Sequence, residues 1–423
     1  VIDPVRPAKH LGNPYDNPAL FEYLDSLEGV PDLLGPGETE AEREGWSDWQ
    51  RAGNERFAAL GAWAPGLALA AAVALAGGSI AEGSAGLLGL DKTPVSPILV
   101  AILLGLGIRQ AVGLPRTYEP GLQLALKRIL RVGVALLGIR LSLTSLGTIG
   151  LVALPVVVVC IASALFLVTR IGRWVGLPPR LAILIAAGTA ICGNTAIVSL
   201  APVIRAEDDE VSYAVGCITL FGLAALVAYP FVSHGLFGGD ATLAGLFLGT
   251  AIHDTAQVAG AGLVYLVQYA SPDALESATV TKLLRNMFML IVIPGAAWLH
   301  QRGGSGQTVP GGLAAQLKQA VPLFVFGFLA MSVLRSLGDL GDRPFGVLEP
   351  KTWTALIDGV TGVSSFCLAI AMASVGLGTS LTRLRGLGLR PLMVGLVAAL
   401  LVGGVSYSMI RLLTGLGVFE ALA

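Results

Sequence analysis

Charge is scarce in this chain. Of its 423 residues, 13% are Asp, Glu, Lys or Arg while 54% are hydrophobic, and the mean hydropathy is +0.75. A soluble domain carries about 25% charged residues, so this composition excludes an ordinary soluble enzyme and implies a polytopic membrane protein. Neither sign is in excess. The 27 basic and 28 acidic residues give a formal net charge of -1, which leaves no basic face for nucleic acid. Cysteine is rare as well: Cys160, Cys192, Cys217 and Cys367 stand singly in apolar stretches, without the spacing of a metal site or a disulfide framework. No short apolar run opens the chain, so the first membrane span is expected to direct insertion, and the Val1 start is compatible with a further stretch upstream. No nucleotide-binding motif occurs, which argues against ATP-driven pumping by this chain alone.

What is abundant is glycine, with 55 residues, suited to close helix packing and broken spans in lipid. The expected fold is an all-α polytopic helical bundle. Residues 1–57 read as an acidic cytoplasmic extension. Asn17-Pro18 has the form of a helix start, and Trp46, Trp49 and Phe57 with Arg51 and Arg56 between them suggest an interfacial helix, a solvated tail being the alternative. Residues 58–423 form the transmembrane domain, with about eleven hydrophobic spans: 60–80, 96–110, 122–141, 149–169, 180–204, 211–232, 241–269, 278–299, 317–334, 353–381 and 392–412. The second is short and broken by Gly105 and Gly107. Basic residues favour a cytoplasmic N-terminus: Arg109, Arg116, Lys127, Arg128, Arg170, Arg173, Arg180, Arg302, Lys318, Arg383, Arg385 and Arg390 fall inside. In that topology the run Glu207-Asp208-Asp209-Glu210 falls outside, as a solvated turn.

Two polar interruptions share a pattern, Gly188-Thr189-Ala190-Ile191-Cys192-Gly193-Asn194-Thr195 and Gly249-Thr250-Ala251-Ile252-His253-Asp254-Thr255. Polar groups at bilayer depth are costly unless they pair, line a cavity or hold a solute. A break there frees N–H groups at the new helix N-terminus, where anions bind. The expected solute contacts are Gly188, Thr189, Cys192, Gly193, Asn194, Thr195, Thr250, His253 and Gln257, a glycine packing notch being the structural alternative. Asp254 and His253 are natural coupling residues, with capping of the break as the plainer role. Lys282 and Arg285, three apart on one helix face, could draw an anion inward, pair with Asp254 or snorkel at a membrane edge. A second kind of similarity joins 138–146 and 376–384, as inverted repeats with broken crossing helices would require. The eleven-span count, however, makes the two Gly-Thr-Ala-Ile spans parallel, against a simple inverted relation.

These residues resemble the sulfate exporter, or YeiH, family of bacterial inner-membrane proteins: G-T-x-I-C-G-x-x-A-I at 188–197, G-T-x-I-H-[DE]-T-A-Q-V at 249–258, and K-x-x-R at Lys282 and Arg285. Asn194 stands where a small residue is more usual. The resemblance covers the chain from about residue 60 onward and implies a secondary transporter distantly similar to the bile acid and sodium symporter superfamily. The expected function is therefore alternating-access transport of a small anion, with a proton or sodium ion as coupling ion, no other cofactor and no metal. The expected partners are the solute and the lipid bilayer, and a homodimer is compatible. The alternative from another class is an intramembrane enzyme using His253 and Asp254.

Overall fold

The computed structural model describes residues 48–88, 96–302, 323–340, 343–380 and 388–418. The helix start at Asn17, Trp46, and the basic residues Lys318, Arg383 and Arg385 lie outside the described residues. The chain divides into two units, Val1–Leu60 and Gly61–Ala423. Within the first, the described stretch is helical from Asp48 onward.

Among the described residues the protein is all helix and connection, without strand. Six of the described segments are long and apolar enough to cross a membrane: Gly61–Ser84, Leu143–Trp174, Asp208–Leu236, Asp273–Ala296, Pro350–Gly378 and Leu389–Gly415. Even the shortest, at 24 residues, rises about 36 Å at 1.5 Å per residue, against a hydrocarbon thickness of about 30 Å. Large apolar side chains stay exposed along these helices, among them Leu151 at 62%, Ile291 at 66% and Leu400 at 60%. Water would not tolerate such a surface, and lipid accommodates it.

The helices are α1 (Asp48–Leu88), α2 (Pro97–Val112), α3 (Glu119–Leu124), α4 (Leu130–Leu137), α5 (Leu143–Ser163), α6 (Thr169–Trp174), α7 (Pro179–Ala190) and α8 (Asn194–Ile204). They continue with α9 (Asp208–Leu236), α10 (Ala241–Ala251), α11 (Thr255–Tyr269), α12 (Asp273–Met287), α13 (Met289–Arg302), α14 (Leu323–Gly338), α15 (Pro350–Gly378) and α16 (Leu389–Gly415). A π-helical turn, Ala125–Ile129, joins α3 to α4. One apolar core runs through α5 and α7 to α12, and a smaller cluster of Ala70, Val73, Ala101, Leu122, Ala125, Ile370, Ala373 and Leu377 ties α1, α2, α3 and α15 together.

The two segments expected to cross at 180–204 and 241–269 do not run straight. Each is a helical hairpin. A straight helix over either stretch would set its ends about 40 Å apart, yet Arg180 at the start of α7 reaches Glu207 just beyond α8 at 3.7 Å. Across that hairpin, a Cβ on Gly188 would touch Ile197 at 2.8 Å. The second hairpin closes the same way: His234 Nδ1, before α10, lies 3.0 Å from Tyr265 Oη in α11, and the His234 ring stacks on Tyr269 at 3.6 Å. Packing against α12 fixes the directions. Gly245 and Gly249 abut Ala274 and Ala278 in rising order, so α10 runs parallel to α12. Gly262 abuts Leu275 while Thr255 bonds Asn286, so α11 runs antiparallel to it.

Local sequence explains these turns. Pro179 opens α7 at a position where a missing N–H costs nothing. Asp240 caps α10 by accepting from Leu243 N at 2.9 Å. Both second arms end on a non-glycine residue in the left-handed region, Arg205 at φ 53 and Ala270 at φ 52. The acidic run after the first hairpin forms a capping box, with Glu210 accepting from Glu207 N at 2.9 Å. It therefore shares an end of the bundle with Arg180, a correction to the placement of these residues on opposite faces.

The hairpins set a labelling prediction. In a background lacking the four native cysteines, Arg180→Cys and Glu207→Cys should both react with an impermeant maleimide from one membrane face, and Asp273→Cys from the other. Labelling of positions 180 and 207 from opposite faces would return α7 and α8 to a single crossing helix.

Candidate functional site

The hairpin tips are the two Gly-Thr-Ala-Ile interruptions, and they touch. At the first tip, Gly193 takes φ 66 and ψ -125, backbone open in practice to glycine. A Cβ there would lie 2.9 Å from Asp254 Oδ2 and 3.2 Å from Asp254 Cα in the second tip. Glycine is thus required twice, for its conformation and for the approach.

Each first arm ends with unpaired carbonyls carrying the negative end of a helix dipole. Two such ends converge, and α12 supplies the counter-charge. Arg285 Nε donates to Ala190 O at 2.6 Å and its Nη2 to Thr189 O, while Nη1 donates to Thr250 O at 2.7 Å and Ile252 O at 2.9 Å. Lys282 Nζ donates to Ile191 O and Ile252 O, each at 3.0 Å, and to His253 O. Lys282 is 1% exposed and Arg285 0%. Buried cations are costly unless fully hydrogen-bonded, and here the carbonyls of both tips satisfy them.

The second arms present the opposite pole, free N–H groups, and Asp254 occupies that position. Its Oδ1 accepts from Ala256 N at 2.9 Å, and its own N–H donates to Gln257 Oε1 at 3.1 Å, closing a capping box on α11. The N–H of Asn194, first residue of α8, lies against the same carboxylate. One acid thus serves the N-termini of both hairpins. Gln257 also donates to Thr219 O at 3.4 Å and lies across Gly222 of α9, where any side chain would collide with its amide.

On the same side of the tips as Arg180 and Glu207 lies a cavity of about 610 Å³. Its floor is Cys192, Asn194, Thr195, Asp254, Thr255 and Gln257, with Thr219 and Asn286 beside them. Asn286 donates to Thr255 Oγ1 at 3.1 Å, leaving its Oδ1 unpartnered although the residue is 4% exposed. The facing wall comes from α3, the π turn, α4, α14 and α15, and carries Gln123, Lys127 and Arg131.

Of the residues expected to contact solute, Cys192, Asn194, Thr195 and Gln257 line this cavity, and Gly188, Thr189, Gly193, Thr250 and His253 do not; Asp254, expected as a coupling residue, lines it as well. Thr250 bonds back to Leu246 O at 2.8 Å and reaches Ser406 at 2.5 Å. Gly188 is a packing notch against Ile197 and Ile218. His253 is 1% exposed with Nδ1 unpartnered. Lys282 and Arg285 face carbonyls and not the cavity. Sequence reasoning passed over Lys127 and Arg131 as lining residues, and also Gln123, Thr219 and Thr255. The four-residue spacing of Gln123, Lys127 and Arg131 within an apolar stretch was the available signal.

Removing a buried donor strands several carbonyls at once. Arg285→Met should therefore lower stability by about 3 kcal/mol or more, seen as a large fall in the Tm of detergent-purified protein. Lys282→Met, which frees fewer carbonyls, should do so by less. Parental Tm values in both variants would contradict the role assigned to the pair.

The family model described as "Conserved hypothetical protein 698" matches residues 65–395. A UPF0324 membrane protein of Agrobacterium fabrum is 32% identical over 315 residues, 74% of this chain and 84% of that protein. One from Corynebacterium glutamicum is 34% identical over 327 residues, 76% and 87%. One from Pseudomonas putida is 32% identical over 320 residues, 73% and 83%. No solved structure matches the chain. The hairpins, their tips, α12 and all of the cavity lining fall within the matched region, and the chain belongs to this conserved family of membrane proteins.

Proposed function

We propose that the protein is a secondary active transporter of a small anion, whether sulfate, an organosulfonate or a carboxylate, working by alternating access. The observation that carries this reading is the tip-to-tip meeting of two helical hairpins at the polar floor of a cavity. One long helix, α9, separates them, so they enter from opposite ends of the bundle. Each is followed by a polar connection and a further helix, α9 or α12. This arrangement supports reading them as an inverted repeat, where a count of two crossing spans would make them parallel. A solute at such a meeting point is screened from one face by each hairpin, so modest movement of either exposes it to one side only.

Hydroxyl and amide groups of Asn194, Thr195, Thr219 and Asn286 can hold the solute at the floor by hydrogen bonds, with Lys127 and Arg131 on the facing wall supplying positive charge. Asp254 is the coupling residue. Its carboxylate caps α11 and packs against Gly193 at the start of α8, so gain of a proton or a sodium ion alters its hold on both second arms. The resemblance to sulfate exporters, and the more distant one to bile acid and sodium symporters, agrees with this mechanism. The N-terminus lies in the cytoplasm in this reading, residues 1–57 form an extension outside the bilayer, and a homodimer is compatible. Enzymatic use of His253 is disfavoured because its ring does not line the cavity.

Counterflow in proteoliposomes tests the reading. Labelled sulfate or organosulfonate should exchange chemically unchanged, and Asn194→Leu should abolish exchange while the protein stays folded. An altered product, or no exchange of any anion, would overturn it. Asp254→Asn keeps a capping acceptor and removes the charge, so accumulation against a gradient should be lost while exchange partly survives. Accumulation with unchanged pH and sodium dependence would move coupling away from Asp254.

A further inference from the structure

Neither of the two places where the sequence leads one to expect bound anion is open to it. The N-terminal ends of α8 and α11 already carry the carboxylate of Asp254. The cations of α12 are spent on carbonyls of the two tips. An anionic group set on the cavity floor would meet Asp254 as a like charge. The cationic side chains that line the cavity are Lys127 and Arg131. Both are exposed, and neither has an ion pair or side-chain hydrogen bond among the described residues. Arg128 between them turns elsewhere, to the ring of Trp63 at 5.8 Å. The helix carrying them is locally π-helical at Ala125–Ile129, a distortion frequent at functional sites.

The rest of the wall is largely apolar, with Leu126, Leu130, Val134, Val198, Phe324 and Val375, interrupted by Gln123, Ser199 and Thr379. At about 610 Å³ the cavity is far larger than an inorganic oxyanion, which would leave most of its apolar lining against water. Resting on the transporter reading above, we infer that the solute is an organic acid, a sulfonate or carboxylate whose charged group binds Lys127 and Arg131 and whose hydrocarbon segment lies on this apolar wall. Lys127 and Arg131 are then the residues that select it, and the hairpin tips close over its uncharged end.

The test uses the full chain in proteoliposomes and in detergent, with sulfate and the ethane-, propane- and butanesulfonates as probes. Binding, followed by calorimetry, should tighten about fourfold per added methylene, and butanesulfonate should inhibit counterflow of labelled butanesulfonate at far lower concentration than sulfate. Lys127→Gln and Arg131→Gln should each weaken sulfonate binding about tenfold or more with Tm unchanged, since both side chains are exposed. Exchange of labelled sulfate that butanesulfonate fails to inhibit would overturn the inference and leave the transporter reading standing. Unchanged sulfonate affinity in both variants would overturn the placement of the acid group. Absence of binding and exchange for every probe would overturn the inference and the transporter reading together.

Discussion

The interaction on which the rest of this structure depends is the binding of backbone carbonyls by Lys282 and Arg285. Two helices end inside the bundle, each with unpaired acceptors, where neither water nor a continuing helix can satisfy them. Two negative dipole ends brought together would repel. A cation pair on one face of α12 resolves both problems, because the guanidinium spans the two tips, from Thr189 and Ala190 to Thr250 and Ile252, while the ammonium reaches Ile191, Ile252 and His253. Arginine suits this work, since its several N–H groups point in fixed directions and it stays charged when buried.

Once the carbonyl pole is neutralised from α12, the N–H pole of both hairpins is left to face the cavity. Asp254 occupies it, so the carboxylate belongs to the architecture as well as to the proposed cycle. That double duty gives coupling a physical route. A group that holds α8 and α11 at the same time is one whose neutralisation alters both hairpins, whereas an acid bonded to one arm would influence only that arm. It also shifts the positive charge available to a solute from the tips to the opposite wall, at Lys127 and Arg131.

Much of this was legible in the sequence, and the remainder has identifiable causes. Composition fixed the membrane class, and the Gly-Thr-Ala-Ile strings located both helix breaks, since glycine and hydroxyls at bilayer depth need a reason. Folding back of the hairpins was not legible. A run such as 180–204 has the length and hydropathy of one crossing helix, and its reversal depends on backbone angles at Ile191 and Gly193 that composition does not record. The separation of Arg180 from the run Glu207 to Glu210 onto opposite faces followed from that single error. The partners of Lys282 and Arg285 were hidden for a different reason: backbone carbonyls carry no sequence signature, so side-chain candidates such as Asp254 stood in for them. Lys127 and Arg131 were masked by their nearness to a span edge, where basic residues normally mark topology.

The central claim is that one cation pair holds two hairpin tips as a single unit. Amide hydrogen exchange on the purified full chain, comparing the parent with Arg285→Lys, tests it most directly. In the parent, residues 189–194 and 251–258 should exchange slowly. The variant retains a cation but loses the fork that spans both tips, so protection should fall in both segments together. Loss confined to one segment, or protection unchanged in both, would contradict the account.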